Sequence, residues 1–201
     1  MININPILYS LTASSCGALT TVPFDILQTK IVSNESIEIK FEEFKILLLM
    51  TSLFSIQNGI YNWSNFLNNK NIRATLAGLS VTPFYIFLES KKVYCRLGLK
   101  PKYKKFIFWI TIRQILVFIT LYNILYLNIS YSKFISAFFA NFLGFPLRIL
   151  AFKEAYPTLN YNFTNIKKTG ILEIIKSSIC DGITLYLIYN FKYSPFKNNI
   201  I

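Results

Sequence analysis

Long apolar runs separated by short clusters of Lys and Asn organise the chain. No charged side chain occurs from Met1 to Phe24, and a first span is expected over Pro6 to about Thr29. Ile46 to Asn69 is again uncharged, and Ala74 to Leu88 is a shorter apolar core between Arg73 and Glu89. Phe106 to Ser132 is apolar apart from Arg113, and Phe134 to Leu147 ends at Arg148. A last short run, Gly182 to Phe191, is extended upstream by an amphipathic stretch from Ile171. The longer runs approach the roughly 20 apolar residues that a bilayer-crossing helix needs. None has the strict alternation of a barrel strand. The pattern predicts an all-α integral membrane protein with about six transmembrane helices in a single domain, 1–201.

Composition narrows the class further. The chain is 53% hydrophobic and only 15% charged, with mean hydropathy +0.43. Disordered chains need the reverse balance, and ordinary soluble domains carry roughly a quarter charged residues. The net charge of +12 suits a membrane protein with basic loops on one side better than a nucleic-acid binder. Lys91, Lys92, Arg96, Lys100, Lys102, Lys104 and Lys105 make one such loop, and Lys153, Lys167, Lys168 and Lys176 a second basic stretch. Histidine is absent, which removes histidine acid–base chemistry and most zinc sites. Cys16, Cys95 and Cys180 are far apart, without a C-x-x-C pair. Neither an enzyme constellation, a cofactor motif nor a metal site is expected. The N-terminal span lacks the basic start of a signal peptide and the Arg-rich character of a transit peptide, so any organellar address would be internal.

Three prolines recur in similar surroundings: Pro23-Phe24-Asp25-Ile26-Leu27, Pro83-Phe84-Tyr85-Ile86-Phe87 and Pro146-Leu147-Arg148-Ile149-Leu150. The candidate repeats are 1–66, 67–129 and 130–192, that is, three helical hairpins. A proline inside a membrane helix removes one backbone hydrogen bond and kinks the helix. Three such kinks would draw three helix ends towards one axis.

At the first proline the sequence resembles the mitochondrial carrier family, which repeats Pro-x-[Asp/Glu]-x-x-[Lys/Arg]-x-[Lys/Arg] at the ends of its odd helices. Pro23, Asp25 and Lys30 match, and Gln28 stands where a base is usual. Ala13 and Gly17 give the small-residue spacing that lets helices approach closely. The stretch Phe44 to Arg73 resembles the family's matrix helix, with a turn at Asn58-Gly59-Ile60-Tyr61-Asn62-Trp63 and a base, Arg73, where the family often faces one into its cavity. Glu89-Ser90-Lys91-Lys92 resembles the acidic-x-x-basic motif that closes its even helices. The later part departs: Arg148 and Ala151 replace the acid and base after Pro146, and Tyr85, Leu88 and Ser90 follow Pro83. Two registers remain open. In one, 46–64 is a true span and all three prolines lie on one side. In the other, 44–64 is a surface helix and Pro146 faces the opposite side from Pro23.

The resemblance implies alternating-access transport of a small metabolite across a mitochondrial, or reduced mitochondrial, inner membrane. Asp25, Gln28, Lys30, Glu89 and Lys92 are the implied gate residues. Arg73 and Arg113 are candidate cavity bases, because guanidinium binds phosphate and carboxylate bidentately. They suggest an anionic solute of the nucleotide, phosphate or carboxylate class. A cation within a span is costly and usually faces the bundle or a wet cavity, although Arg113 near an interface would snorkel instead. The alternative is a carrier-like protein that no longer transports and acts as scaffold, tether or insertase. The partners expected are the lipid bilayer and the solute, not nucleic acid.

Overall fold

The computed structural model describes residues 12–33 (apart from 14 and 18), 41–127, 131–159 and 162–190. The stretch before Thr12 and the loop between the first two helices lie outside them. So does the part of the last apolar run after Asn190. Helix makes up 88% of the structure, with no strand among the described residues, so side-chain packing between helices holds the fold together. Seven helices follow in order: α1 (Val22–Ser33), α2 (Phe41–Trp63), α3 (Lys70–Ser80), α4 (Thr82–Leu97), α5 (Tyr103–Leu125), α6 (Ser132–Ala155) and α7 (Phe163–Asn190). Further helical residues at 12–13, 15–17 and 19 precede a turn at 20–21. Two helices, Tyr103–Leu125 and Ser132–Ala155, are long and apolar enough to cross a membrane.

Local chemistry explains the boundaries. The Asn69 side chain accepts from the backbone amides of Asn71 and Ile72 and caps α3. Pro83 has no amide hydrogen to continue that helix, so the chain breaks at Val81 and restarts with Pro83 in the first turn of α4. Pro23 likewise stands in the first turn of α1, beyond the turn at 20–21. Of the three repeated prolines, Pro146 alone lies inside a continuous helix, α6. Gly98 closes α4 in the left-handed conformation, φ 65°, which a side chain would disfavour.

The helices alternate in direction between two ends. Asp25 of α1, Lys92 and Arg96 of α4 and Lys176 of α7 meet at one end. Tyr61 and Asn58 of α2, Arg73 of α3, Tyr122 of α5 and Tyr189 of α7 meet at the other. Helix α2 therefore runs the length of the bundle, about 35 Å for its 23 residues. Ile46 packs near Leu88, and Tyr61 packs beside Ala74. It is not a helix laid on one surface, and that register is ruled out. The helices that carry Pro23, Pro83 and Pro146 all run towards the charged end. Helix α7 packs on α1 and α6, α6 on α5, and α5 on α3, while α2 packs on α3 and α4.

An apolar core coexists with buried charges and exposed aromatics. Asp25, Glu89, Lys92, Arg113, Glu173 and Lys176 are buried, whereas Phe84, Phe87, Phe108, Phe138, Phe139 and Phe142 are exposed.

Candidate functional site

Six charges, five of them buried and Arg148 partly exposed, form a closed ring at one end of the bundle. The Asp25 carboxylate lies 2.9 Å from Lys176 Nζ and 3.6 Å from Lys92 Nζ. Lys92 Nζ is 3.0 Å from Glu89 Oε2, and Glu89 Oε1 accepts from Arg148 at 2.8 Å. Arg148 also pairs with Glu173, and Glu173 Oε2 is 2.7 Å from Lys176 Nζ. Charge thus alternates around the whole circuit, across α1, α4, α6 and α7. Arg96 adds a seventh charge, 2.7 Å from Asp25 Oδ2. Gln28 braces the ring from α1: its Oε1 accepts from Lys176 at 2.9 Å and its Nε2 donates to the Thr169 carbonyl at 3.0 Å.

Burial decides what this ring is worth. A solvent-exposed ion pair contributes about 0–1 kcal/mol. These side chains are between 0% and 14% exposed, and charges taken out of water cost several kcal/mol each unless well paired. Alternation satisfies that demand: every acid faces at least two cations. At the same end, burial pushes the Tyr156 phenol well above its usual range, and the Glu89 carboxylate adds to the effect.

The ring is a wall between two cavities. A cavity of about 90 Å³ lies on its outer side, lined by Gln28, Arg96, Phe145 and Thr169 among others. A second, of about 130 Å³, lies inside the bundle, lined by Gln57, Arg113, Asn141, Asp181 and Thr184 among others. Asp25, Lys92, Arg148 and Glu173 line both.

Tyrosines close the other end. The rings of Tyr61 and Tyr122 stack with centroids 3.5 Å apart and planes 2° from parallel. The Tyr122 hydroxyl donates to Asn58 Oδ1 at 2.5 Å, and Asn62 Nδ2 donates to the Tyr189 hydroxyl at 3.3 Å. The three return helices each carry a Tyr-Asn pair at this level of the sequence: 61–62, 122–123 and 189–190.

The expected site residues divide accordingly. Asp25, Gln28, Glu89 and Lys92 come together in the ring and its brace. Lys30 is exposed and takes no part. Glu89 and Lys92 belong to the same closure as Asp25, not to one at the opposite end, because α4 runs back to the charged end after α2 has crossed the bundle. Pro83 is not level with Pro23 and Pro146: these stand two positions before Asp25 and Arg148, and Phe87 has that place before Glu89. Arg113 lines the inner cavity, with 6% exposure. Arg73 does not. Its guanidinium donates to the Tyr61 carbonyl at 3.0 and 3.2 Å and lies over the Tyr61 ring, at the tyrosine end.

Arg148, Glu173, Lys176 and Arg96 were not expected to share the site. Glu173-Ile174-Ile175-Lys176 has the same acidic-x-x-basic spacing as Glu89 and Lys92, which is the signal that would have found it. Among the described residues no cluster of acids and cysteines suits a metal ion. No family model, curated protein or solved structure matches the chain.

Proposed function

We propose that the protein is a polytopic membrane transporter that moves a small anionic metabolite by alternating access, with the charge ring as the gate at one end. The observation that carries this is the sharing of Asp25, Lys92, Arg148 and Glu173 between the outer and inner cavities. The residues shared by the two spaces are joined to one another by ion pairs, and ion pairs can be exchanged without breaking a helix.

The bundle's polarity supports membrane insertion. Charges inside and phenylalanines outside suit a lipid solvent, where an exposed apolar surface costs nothing. On this reading α1 with its preceding turn, α2, α3 with α4, α5, α6 and α7 make six crossings in three hairpins. Exposed Trp63, Phe66 and Tyr131 at one rim and Tyr94 and Tyr103 at the other fit interfacial belts. The charged end also carries the basic loops with Lys100, Lys102, Lys104 and Lys167, and the positive-inside rule would turn it to the matrix. A mitochondrial inner membrane follows from the resemblance around Pro23 and Asp25. The scaffold alternative rests on gate charges missing after Pro83 and Pro146. Arg148 with Glu173 and Lys176 supplies those charges from α6 and α7.

The test is reconstitution of the full chain in liposomes, with uptake measured for the wild type and for Glu173→Gln. Uptake in the wild type, strongly reduced or made leaky in the variant, is the expected result. No movement of any phosphate, nucleotide or carboxylate would leave the protein a scaffold.

A further inference from the structure

The inner cavity is lined by a set of polar groups that find no partner among the described residues. Arg113 Nε on α5 and Gln57 Nε2 on α2 are buried donors without an acceptor, and Thr184 Oγ1 on α7 is a buried hydroxyl without a partner. All three residues line this cavity. Arg113 and Gln57 are 6% and 4% exposed. Leaving such donors unpaired is costly, more so for a charged group, and each can donate to an anionic oxygen.

An acid stands in the same space. Asp181 lines the cavity, and its Oδ2 accepts a hydrogen bond from Asn141 Nδ2 at 2.8 Å. Among the described residues no cation comes within ion-pair distance of it. A carboxylate in this position repels a ligand of pure negative charge and attracts an ammonium.

Size is the third constraint. The cavity is about 130 Å³, and an apolar cavity of about 150 Å³ holds benzene, a molecule of six heavy atoms. A molecule of about six heavy atoms matches that space. Gly144 on α6 helps to set these walls: a Cβ there would collide with the Val117 side chain and lie 3.6 Å from Arg113 Nε.

We infer that the cavity binds a small zwitterion, an amino acid of about alanine's size, with its carboxylate on Arg113 and Gln57 and its ammonium on Asp181. The inference rests on the transport reading and puts a net-neutral zwitterion in place of its anionic solute. It separates two molecules of equal size. Alanine and lactate have the same number of heavy atoms and differ in an ammonium against a hydroxyl.

The experiment is exchange of radiolabelled alanine in liposomes containing the full chain, with lactate, succinate, inorganic phosphate and ADP as competitors. Alanine should exchange and should out-compete lactate by about tenfold or more, the factor that about 1.4 kcal/mol of discrimination gives. Asp181→Asn keeps an acceptor for Asn141 and should remove that preference, while Arg113→Gln should lose both solutes. Exchange of phosphate, succinate or ADP but not alanine would overturn the zwitterion and leave transport standing. Exchange of nothing would overturn both. Equal handling of alanine and lactate by the wild type, or an unchanged preference in Asp181→Asn, would overturn the role of Asp181.

Discussion

Asp25 and Lys176 are 151 positions apart in the chain and 2.9 Å apart in space. This contact joins α1 to α7 and closes the helical bundle upon itself. Asp25 also holds Lys92 and Arg96, so one carboxylate balances three cations.

Asp25→Asn should therefore destabilise the fold more than an ordinary polar substitution. It leaves Lys92, Arg96 and Lys176 buried with a neutral amide between them. Removing one partner of a buried pair costs about 3–5 kcal/mol. At roughly 2–4 °C per kcal/mol for a chain of this size, thermal unfolding in detergent should fall by about 10 °C. A loss of one or two degrees would mean that water reaches the ring.

Glu89 and Arg148 permit a charge exchange. Glu89→Arg alone places three cations together, and Arg148→Glu alone places three acids together. Each should abolish uptake. The double variant restores the attraction between α4 and α6 and should recover a measurable fraction of it. A double-mutant cycle showing no coupling would remove the Glu89–Arg148 pair from the gate.

At the tyrosine end, Tyr122→Phe deletes the hydroxyl that donates to Asn58. The buried amide oxygen loses its partner while the stack on Tyr61 survives. The expected cost is about 1–2 kcal/mol, read as a lower unfolding temperature with the helix content unchanged.

Arg113→Leu tests the cavity against a snorkelling role. A mid-span arginine costs about 2.5–3.5 kcal/mol on insertion, so the variant should accumulate at least as well as the wild type. Its uptake should be lost. Full uptake by the Arg113→Leu variant would put Arg113 outside the solute's path.

Much of this architecture is legible in the hydrophobic pattern. The runs beginning at Ile46, Phe106 and Phe134 lie in long helices, and the run from Ala74 is split between two helices at Val81, because contiguous apolar residues leave few alternatives to a buried or lipid-facing helix. Glu89 and Lys92 were recognisable from their spacing, but their end of the bundle was not. That depends on whether α2 crosses, and an uncharged run of this length also fits a surface helix. Glu173 and Lys176 were obscured by their neighbours. In a stretch with Lys167 and Lys168, a buried base looks like part of a solvated loop. The proline repeat misled by position: shared Phe and Ile neighbours aligned Pro83 with Pro23, whereas charge pairing aligns Glu89 with Asp25. Arg73 misled by chemistry, since a carbonyl and a tyrosine ring satisfy a guanidinium as well as an anion does.

A mitochondrial location and an orientation go with the proposed function. The protein should resist carbonate extraction and fractionate with mitochondria or a reduced mitochondrial organelle. The Lys100–Lys105 loop should be reachable by protease only after the inner membrane is opened. Recovery in a soluble fraction, or in the endoplasmic reticulum only, would contradict this.

The central claim is that the charge ring must open for solute to pass. Gln28 and Thr169 face each other across α1 and α7 at its outer edge, with 3.0 Å between the Gln28 amide nitrogen and the Thr169 carbonyl. Cysteines at these two positions, in a chain whose Cys16, Cys95 and Cys180 are replaced by Ser, can be joined by oxidation or a short thiol-specific linker. Uptake into liposomes should stop when the pair is joined and return when it is reduced. A fully joined protein that transports at the rate of the reduced one would show that these helices need not part, and the ring would not be a gate.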